Sequence, residues 1–404
     1  MNKPLTICHP FLFFSIRFAG GTCDLIFKIA KAQAKGGHKP VIYSGDYKFD
    51  AELAESLKGA DFRVVRSYLD RAGFSIMPSL IGLARREVPT FDIVHMHVFR
   101  TFQNVVLHHF CRKFNVPYVM DAHGAVPYYR RKRIIKRIFD RLWGRRLLRE
   151  ADALIAESNV GVDEYLAIDP QLERSRILVL SPPFDTEPFA NLPARGLFRK
   201  AFGIGPDEPV VAFLGRVHHI KGNDFLIRGF AELARRRKNA RLVIIGGDDG
   251  HMSACKMLAR ELGVSDRVLF VGFLSDDKKL SALVDADIVA QMSRQEQGAW
   301  APIEAVLCGT PIVVTAHTGA GEDVRRLDAG YLVDFGDVPG LAGRLDHILN
   351  HYDEAKAKTL KAKNYVERNL SFDSRLGEYI AVYCDCIGKA RDRRARQNST
   401  PMVM

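Results

Sequence analysis

No stretch of the 404-residue sequence approaches the roughly 20 consecutive apolar residues that span a bilayer, so we expect no transmembrane helix. His9 and Pro10 interrupt the apolar start of the chain, which we therefore interpret as a buried strand rather than as a secretion signal. The seven cysteines include no CxxC pair and lack the spacing of a disulfide framework. This pattern favours a reducing cytoplasm and gives no metal site.

The sequence also contains neither a Walker phosphate-binding loop nor a dinucleotide-binding glycine fingerprint, so ATP and NAD are poorly supported as ligands. Charge is abundant but unbalanced, with 59 Lys and Arg against 47 Asp and Glu and a net charge of +12. Such an excess indicates an anionic partner, which could be nucleic acid, an acidic membrane or a phosphorylated ligand. The length favours two domains of roughly 200 residues each.

Short apolar runs alternate with helical periodicity in both halves of the chain, which predicts βαβ units on parallel sheets. The predicted strands are residues 5–10, 39–45, 62–67, 92–98, 117–123, 153–158, 177–183, 209–215, 241–247, 267–273, 287–293 and 311–316. Residues 181–196 are rich in proline and weakly periodic, so they are interpreted as the inter-domain linker. Two such domains are expected to place a ligand cleft between the carboxyl ends of their sheets.

Two segments have the residue types that bind phosphate. Gly20 and Gly21 precede a predicted helix, where the backbone can approach an anion closely and the free N–H groups face it; a simple tight turn is the alternative. Arg216 and Lys221 follow a predicted strand in the second half. A guanidinium and an ammonium on one loop suit a diphosphate, although a solvated pair of cations would look the same in sequence.

Two glutamates eight positions apart, Glu296 and Glu304, enclose a glycine-containing loop before the apolar run 311–316. A carboxylate accepts two hydrogen bonds from neighbouring hydroxyls, so this pair is suited to two sugars, one of them a ribose. The backbone N–H groups of Gly298, Ala299 and Trp300 lie between them and can bind phosphate oxygens. Together with the two cations, these residues predict a nucleotide-sugar site.

Over nearly its whole length the chain resembles the retaining glycosyltransferases of family 4, which have the GT-B fold. The resemblance rests on short motifs, of which the E-x7-E spacing is the most specific. These motifs are Gly20–Gly21, GGH (36–38), DIVHMH (92–97), DAHG (121–124), FDTEPF (184–189), GR…KG (215–222), VLFVGFL (268–274) and EQGAWAPIEAVLCGTPIVVT (296–315).

The resemblance implies an α/β fold of two Rossmann-like parallel-sheet domains that face each other across a cleft. Residues 1–190 would form the acceptor-binding domain and residues 191–371 the nucleotide-sugar-binding domain. Residues 372–390 would form a helix that crosses back to the first domain, and residues 391–404 are predicted to be a disordered basic tail.

The resemblance also assigns roles to individual residues. Glu296 would contact the donor sugar and Glu304 the ribose, while Arg216 and Lys221 would hold the diphosphate. His123 would lie near the transferred sugar, although a lone histidine after a strand is often only structural. Gly20, Gly21, Gly272 and Phe273 complete the expected donor site. No cofactor and no metal are expected, because cations and helix ends stabilise the departing diphosphate.

The segment 128–150 is unusually basic: residues 130–149 contain ten Lys or Arg and one acid, Asp140. Apolar residues recur at helical spacing among them, which predicts a basic amphipathic helix. Its apolar side could pack on its own domain, or the helix could bind an anionic membrane; no RNA- or DNA-binding module is recognisable. The residues assigned to membrane or acceptor binding are Arg130, Arg131, Lys132, Arg133, Lys136, Arg137 and Trp143.

Together with the resemblance, which implies the retaining mechanism and the independence of metal, the sequence predicts a glycosyltransferase that uses a nucleoside diphosphate sugar. We expect a saccharide or lipid-linked acceptor in surface glycan or glycolipid synthesis, a cytoplasmic location on the inner face of the plasma membrane, and no nucleic-acid partner. Two alternatives remain open from the residues. One is a nucleotide-sugar epimerase of the same fold, and the other is a non-enzymatic basic protein that binds membrane or nucleic acid.

Overall fold

A computed structural model describes residues 3–71, 74–126, 133–298 and 300–399. The chain divides into two compact units. Unit 1 comprises the chain up to Phe184 together with the segment from Leu370 onward, and unit 2 comprises Asp185–Asn369. The first division falls slightly before the boundary predicted at residue 190, and the second lies close to the one predicted at residue 371.

Each unit is built on a parallel sheet. Unit 1 has a seven-stranded sheet in the order β3-β2-β1-β6-β7-β8-β9 and a two-stranded antiparallel ribbon, β4-β5. Its strands are β1 (Thr6–Phe13), β2 (Lys39–Gly45), β3 (Asp61–Val65), β4 (Leu69–Arg71), β5 (Phe74–Ile76), β6 (Ile93–His97), β7 (Tyr118–Asp121), β8 (Ala153–Ala156) and β9 (Ile177–Val179). Unit 2 has a six-stranded sheet in the order β12-β11-β10-β13-β14-β15. Its strands are β10 (Val210–Leu214), β11 (Arg241–Ile245), β12 (Val268–Gly272), β13 (Ile288–Gln291), β14 (Ile312–Thr315) and β15 (Tyr331–Val333).

Helices connect the parallel strands. They are α1 (Ile16–Ala19), α2 (Gly21–Lys35), α3 (Ala51–Ser56), α4 (Ser79–Glu87), α5 (Phe102–Phe114), α6 (Arg133–Phe139), α7 (Arg145–Arg149), α8 (Asn159–Ile168), α9 (Leu197–Ala201), α10 (Asn223–Arg236), α11 (Met252–Glu261), α12 (Asp276–Asp285), α13 (Trp300–Leu307), α14 (Gly319–Leu327), α15 (Val338–Asn350), α16 (Tyr352–Asn369) and α17 (Phe372–Ser399). A π-helical turn, Asp140–Gly144, joins α6 to α7. Each unit has its own buried apolar core, so the chain forms two Rossmann-like α/β domains.

The strands read as apolar runs because both faces of a parallel sheet are covered. In unit 2, for example, β10 and β13 are almost entirely buried, and Val211 of β10 pairs with Leu242 of β11. Side chains define several helix ends: the Thr101 hydroxyl accepts from the Asn104 N–H at the start of α5. Asn115 ends the same helix in a left-handed conformation, which asparagine tolerates well.

The predicted disorder of residues 391–404 is wrong for the part that the structure describes. Residues 391–399 continue α17, which packs against α2, β6 and β7 of unit 1. Arg393 forms an ion pair with Asp152 at 2.7 Å, and Arg394 donates to the carbonyls of Phe114 and Asn115. Arg393 and Arg394 thus have specific partners in unit 1, which a solvated basic tail would not have. Residues 400–404 lie outside the described residues.

Candidate active site

The predicted donor residues of unit 2 lie at the carboxyl edge of its sheet. The strand order reverses direction between β10 and β13, and ligands of open α/β sheets bind at such a switch point. Arg216 and Lys221 follow β10, and Glu296 follows β13. The structure therefore places these three residues after the two strands that flank the switch point.

Lys221 and Glu296 form an ion pair, although 75 positions separate them in the sequence. The other carboxylate oxygen of Glu296 accepts from the Ser293 hydroxyl at 2.6 Å and from the Gln291 amide at 3.4 Å. Thr315, at the end of β14, donates to the Ser293 carbonyl at 2.7 Å and so holds the loop. Ser293 was not predicted as a site residue, and its position just after a buried strand is the only sequence signal for it.

Arg216 is separate from this pair. Its guanidinium donates to Asp249, which follows β11, at 2.5 Å, and about two thirds of its side chain is exposed. An isolated bridge between Val217 and Asp248 ties the two loops together. Arg216 is thus a solvent-facing cation on the same edge, and it shares its charge with one exposed carboxylate.

Glu304 lies one turn inside α13, which begins at Trp300. Its carboxylate accepts from Lys279 of α12 at 3.2 Å, and both side chains are largely buried. Lys279 was not predicted. The two glutamates of the E-x7-E motif therefore each have a lysine partner, contributed by different segments of unit 2.

The remaining predicted donor residues lie at the end of β12 and at the start of α13. Gly272 ends β12 with a left-handed φ of 73°, and Phe273 next to it exposes 78% of its side chain. Gly298 and Trp300 bracket the start of α13. Ala299 lies outside the described residues. A large exposed aromatic ring at the carboxyl end of a strand can stack on a planar ligand such as a base.

Gly222 brings the Lys221 loop against the end of β13. It has a φ of 65°, and a Cβ at this position would lie 1.8 Å from the Met292 carbonyl oxygen. No side chain fits there, because such a contact is far below van der Waals separation. The close approach is what allows Lys221 to reach Glu296.

We expect Gly222→Ala to destabilise unit 2 and separate Lys221 from Glu296. Gly263→Ala is a matched control, because Gly263 has a similar φ of 68° but open space around the Cβ position. Gly263→Ala should lower the free energy of unfolding by only about 1 kcal/mol, the cost of alanine in a left-handed conformation. Gly222→Ala should lower the free energy of unfolding several times more. Hydrogen exchange of the β10 and β13 amides measures both losses, and equal losses would contradict the steric explanation.

Unit 1 also places its predicted residues at the carboxyl edge of its sheet. Gly20 has a φ of 62° and separates α1 from α2, so Gly21 begins a helix of 15 residues. His123 follows β7 and also has a positive φ of 47°, as has Gly124 with 72°. The Ala125 N–H donates to the Ala122 carbonyl at 2.9 Å, which closes a turn with two positive φ angles at its centre.

The His123 side chain is buried, and both of its ring nitrogens have partners within unit 1. Nε2 lies 2.9 Å from Nδ1 of His97, and Nδ1 lies 3.1 Å from Glu157 and 3.2 Å from Asp121. Val98, directly after His97, has the unusual φ of 60° for a β-branched residue. The Asn104 amide donates to the carbonyls of His97 and Val98 and holds this strained loop.

Among the described residues, two groups bring possible metal ligands within 4.8 Å of one another: His9 with His95 and His97, and Asp121 with His123 and Glu157. Both groups lie in unit 1, and hydrogen bonds between members already join most of these atoms. At the carboxyl edge of unit 2 the described residues include no such group. The residues predicted to hold the diphosphate are instead lysine and arginine.

The basic segment forms α6, the π-helical turn and α7. Its inner side contains Phe139, Leu147 and Leu148, all buried, and Asp140, which forms a bidentate ion pair with Arg100 at 2.7 and 2.8 Å. The outer side exposes large apolar side chains. These are Ile134, Ile135, Ile138, Leu142 and Trp143, with exposed fractions from 44% to 74%.

The possibility that the apolar stripe packs on its own domain therefore holds for Phe139 and is wrong for these five exposed side chains. Arg133, Lys136 and Arg137 lie on α6 and Trp143 on the π-helical turn. Arg130, Arg131 and Lys132 lie outside the described residues. In the part of the chain that the structure describes, no helix is both long and apolar enough to cross a bilayer.

Two family models match the chain. "Glycosyl transferases group 1" matches residues 195–365, and "Glycosyltransferase Family 4" matches residues 19–188. The D-inositol 3-phosphate glycosyltransferase of Actinosynnema mirum is 30% identical over 332 residues, which are 76% of this chain and 75% of that protein. The chain belongs to the family 4, group 1 glycosyltransferases.

A second relative and two solved structures are also similar to the chain. The D-inositol 3-phosphate glycosyltransferase of Mycolicibacterium smegmatis is 32% identical over 61% of this chain, and the match spans only 56% of that relative's length. HepE of Anabaena, solved with UDP-glucose, has a TM-score of 0.76 at 19% identity and covers 93% of this chain and 99% of its own. WaaG, described as a glycosyltransferase involved in lipopolysaccharide biosynthesis, has a TM-score of 0.67 at 18% identity over 92% and 98% of the two chains. These solved structures establish the shared fold.

Proposed function

We propose that this protein is a retaining glycosyltransferase that moves a sugar from a nucleoside diphosphate donor to a saccharide or lipid-linked acceptor. The observation that carries the proposal is the Lys221–Glu296 ion pair at the switch point of unit 2, in a chain of this family. The ammonium has three N–H donors, and the contact with Glu296 uses one of them. The others can bind diphosphate oxygens beside the exposed guanidinium of Arg216.

The surrounding residues are suited to the rest of such a donor. Glu304 offers carboxylate oxygens to a ribose diol, and the exposed ring of Phe273 offers a stacking surface to a base. The HepE structures contain UDP and UDP-glucose, which makes UDP-sugars the first donors to test. We propose that the diphosphate leaves with its charge stabilised by Lys221 and Arg216 and without a metal ion, because these two cations already supply positive charge there.

The test is thermal stabilisation of the purified protein by UDP-, GDP- and ADP-sugars, because a ligand of the native state raises its apparent stability. We expect the nucleotide-sugars of one base to raise the melting temperature without added metal. Glu304→Ala should abolish this rise in melting temperature. Glu261→Ala removes an exposed carboxylate at the end of α11 and is the control that keeps the shift. No shift with any donor would contradict the proposal, and donor binding with epimerisation but no transfer would favour the epimerase alternative.

The exposed side of α6 and the following turn supports a lipid-linked acceptor at an anionic membrane surface. Isoleucine, leucine and tryptophan side chains lie there among Arg133, Lys136, Arg137 and Arg141. An apolar face flanked by cations binds the boundary between headgroups and acyl chains, with about 1 kcal/mol per basic residue near an anionic surface. We propose that this surface makes the enzyme peripheral on the cytoplasmic leaflet, where it would act in surface glycan or glycolipid synthesis.

We expect the protein to sediment with vesicles that contain anionic phosphatidylglycerol, and less so as salt rises. The triple variant Ile134→Ser, Ile138→Ser, Leu142→Ser should lower the partition coefficient at least about tenfold, since each serine removes buried apolar area. A control variant, Met257→Ser with Leu360→Ser, removes exposed apolar side chains of unit 2 and should bind as the wild type does. Equal binding by the triple variant, or binding to neutral vesicles alone, would contradict the membrane proposal.

A further inference from the structure

A chain of hydrogen bonds between buried side chains crosses unit 1 from α2 to the carboxyl end of β7. Gln33 Oε1 lies 2.8 Å from Nε2 of His9, and Nδ1 of His9 lies 2.9 Å from Nε2 of His97. Nδ1 of His97 then lies 2.9 Å from Nε2 of His123. Gln33, His9 and His97 are at most 1% exposed. We call these four residues the histidine chain.

Gln33 fixes the direction of the histidine chain. An amide oxygen only accepts, so Nε2 of His9 carries a proton and donates it to Gln33. Burial lowers the pKa of an imidazole, so His9 and His97 each carry a single ring proton. Nδ1 of His9 therefore accepts a hydrogen bond from Nε2–H of His97. Burial lowers the pKa of His9 to about 4 and that of His97 well below its ordinary value. By the same step, Nδ1 of His97 accepts, and Nε2 of His123 must donate.

The other end of the chain requires a second proton on His123. Its Nδ1 faces the carboxylates of Asp121 and Glu157, and a nitrogen lone pair opposite two carboxylates would be repelled. Asp121 is the competing site for this proton, because burial raises the pKa of its carboxyl to about 7. A protonated Asp121 would still leave Glu157, 3.1 Å from Nδ1, to accept from the His123 N–H. Burial alone would lower the pKa of His123, and the two carboxylates outweigh burial and raise it.

We propose that Gln33, His9 and His97 are positioning residues that hold His123 in its doubly protonated form, with one N–H directed to His97 and the other to the carboxylates. His123 is then a fixed cation at the carboxyl edge of the unit 1 sheet. It has no lone pair with which to act as a general base. Its anchored ring also holds the left-handed backbone that begins the turn to Gly124.

The consequence for sugar transfer rests on the proposed function. If transfer requires the doubly protonated form of His123, the rate should fall as pH rises through the pKa of His123. If His123 acted instead as a general base, the transfer rate would rise with pH over the same range. The titratable groups that interact with His123 lie on β6, on β7 and in the loop after β8; they are His95, His97, Asp121 and Glu157. The next titratable groups interact with these and not with His123 itself; they are His9 of β1, Tyr165 of α8, and Tyr379 and Tyr383 of α17.

The test uses nitrogen chemical shifts of protein labelled with ¹⁵N-histidine, which distinguish the two neutral tautomers from the imidazolium and need no substrate. His123→Asn assigns the His123 signals, and asparagine tolerates the same left-handed backbone. We expect an imidazolium at pH 7 in the wild type. Gln33→Leu lies three hydrogen bonds away, yet it should lower the pH at which His123 deprotonates by about one unit, the scale of one net hydrogen bond.

Gln103→Leu is the matched control, because Gln103 is an equally buried glutamine that contacts the Phe11 carbonyl and not the histidine chain. It should leave the His123 signals and their titration unchanged. A neutral His123 at pH 7, equal effects of the two leucine variants, or a bound metal ion found by elemental analysis would each overturn the proposal. If the NMR result holds while no donor supports transfer, the proposed function fails and the protonation of His123 stands.

Discussion

Replacing Lys221 by alanine is expected to lower kcat/KM for sugar transfer by about a thousandfold, which corresponds to about 4 kcal/mol of transition-state stabilisation. Two losses combine in this variant. Under the proposed function, the departing diphosphate loses an ammonium donor. The carboxylate of Glu296, only 12% exposed, also loses its ion-pair partner. Initial rates with the donor identified by thermal stabilisation measure the effect. Lys256→Ala, which removes an equal charge from α11, should retain the wild-type rate.

A double-mutant cycle separates the two losses. If Lys221 acts on the diphosphate directly, Lys221→Ala with Glu296→Ala stays at least as inactive as the single variant, even if the double variant regains stability. Recovery of activity in the double variant would mean that Lys221 serves only to neutralise Glu296. The diphosphate would then depend on Arg216 alone, and its exposed pairing with Asp249 would become the group to test.

The sequence predicted most of the fold because parallel strands that are covered on both faces must be apolar runs. Each of the twelve predicted strands overlaps an observed one. The pattern missed β4, β5 and β15, which are three residues each and too short to show a periodicity. It also misjudged the end of α17, because an exposed basic helix and a basic tail have the same composition. The distinguishing contacts, from Arg393 and Arg394 to unit 1, are long-range.

The candidate site was predictable to the level of the sheet edge and no further. Strand ends in a parallel sheet meet at one edge, so residues after β10 and β13 had to be neighbours once the strand order was assumed. The contact between Lys221 and Glu296 depends in addition on the close approach at Gly222, and the order of strands is not written in any local pattern. The histidine chain was missed for the same reason. Its members are 24, 88 and 26 positions apart, so no motif contains them together.

Arg100→Ala is expected to cost about 3–5 kcal/mol of local stability, because it leaves the carboxylate of Asp140 buried and unpaired. Asp140 is 2% exposed at the junction of α6 and α7, and Arg100 also donates to the Ala125 carbonyl at 2.9 Å. The expected loss is local to unit 1, so hydrogen exchange of the amides in α7 and β6 is the appropriate measurement. Protection should fall in α7 far more than in the strands of unit 2.

The control is Arg100→Met with Asp140→Leu, which removes both charges and fills similar volumes. Replacing a buried ion pair by apolar side chains is often neutral or stabilising, so the double variant should recover most of the protection. If both variants lose protection equally, the geometry of the pair matters and not its charge. Vesicle binding gives a second result. Arg100→Ala leaves every exposed apolar residue of α6 in place, so a loss of membrane binding in this variant would show that the surface works only when Asp140 anchors it to unit 1.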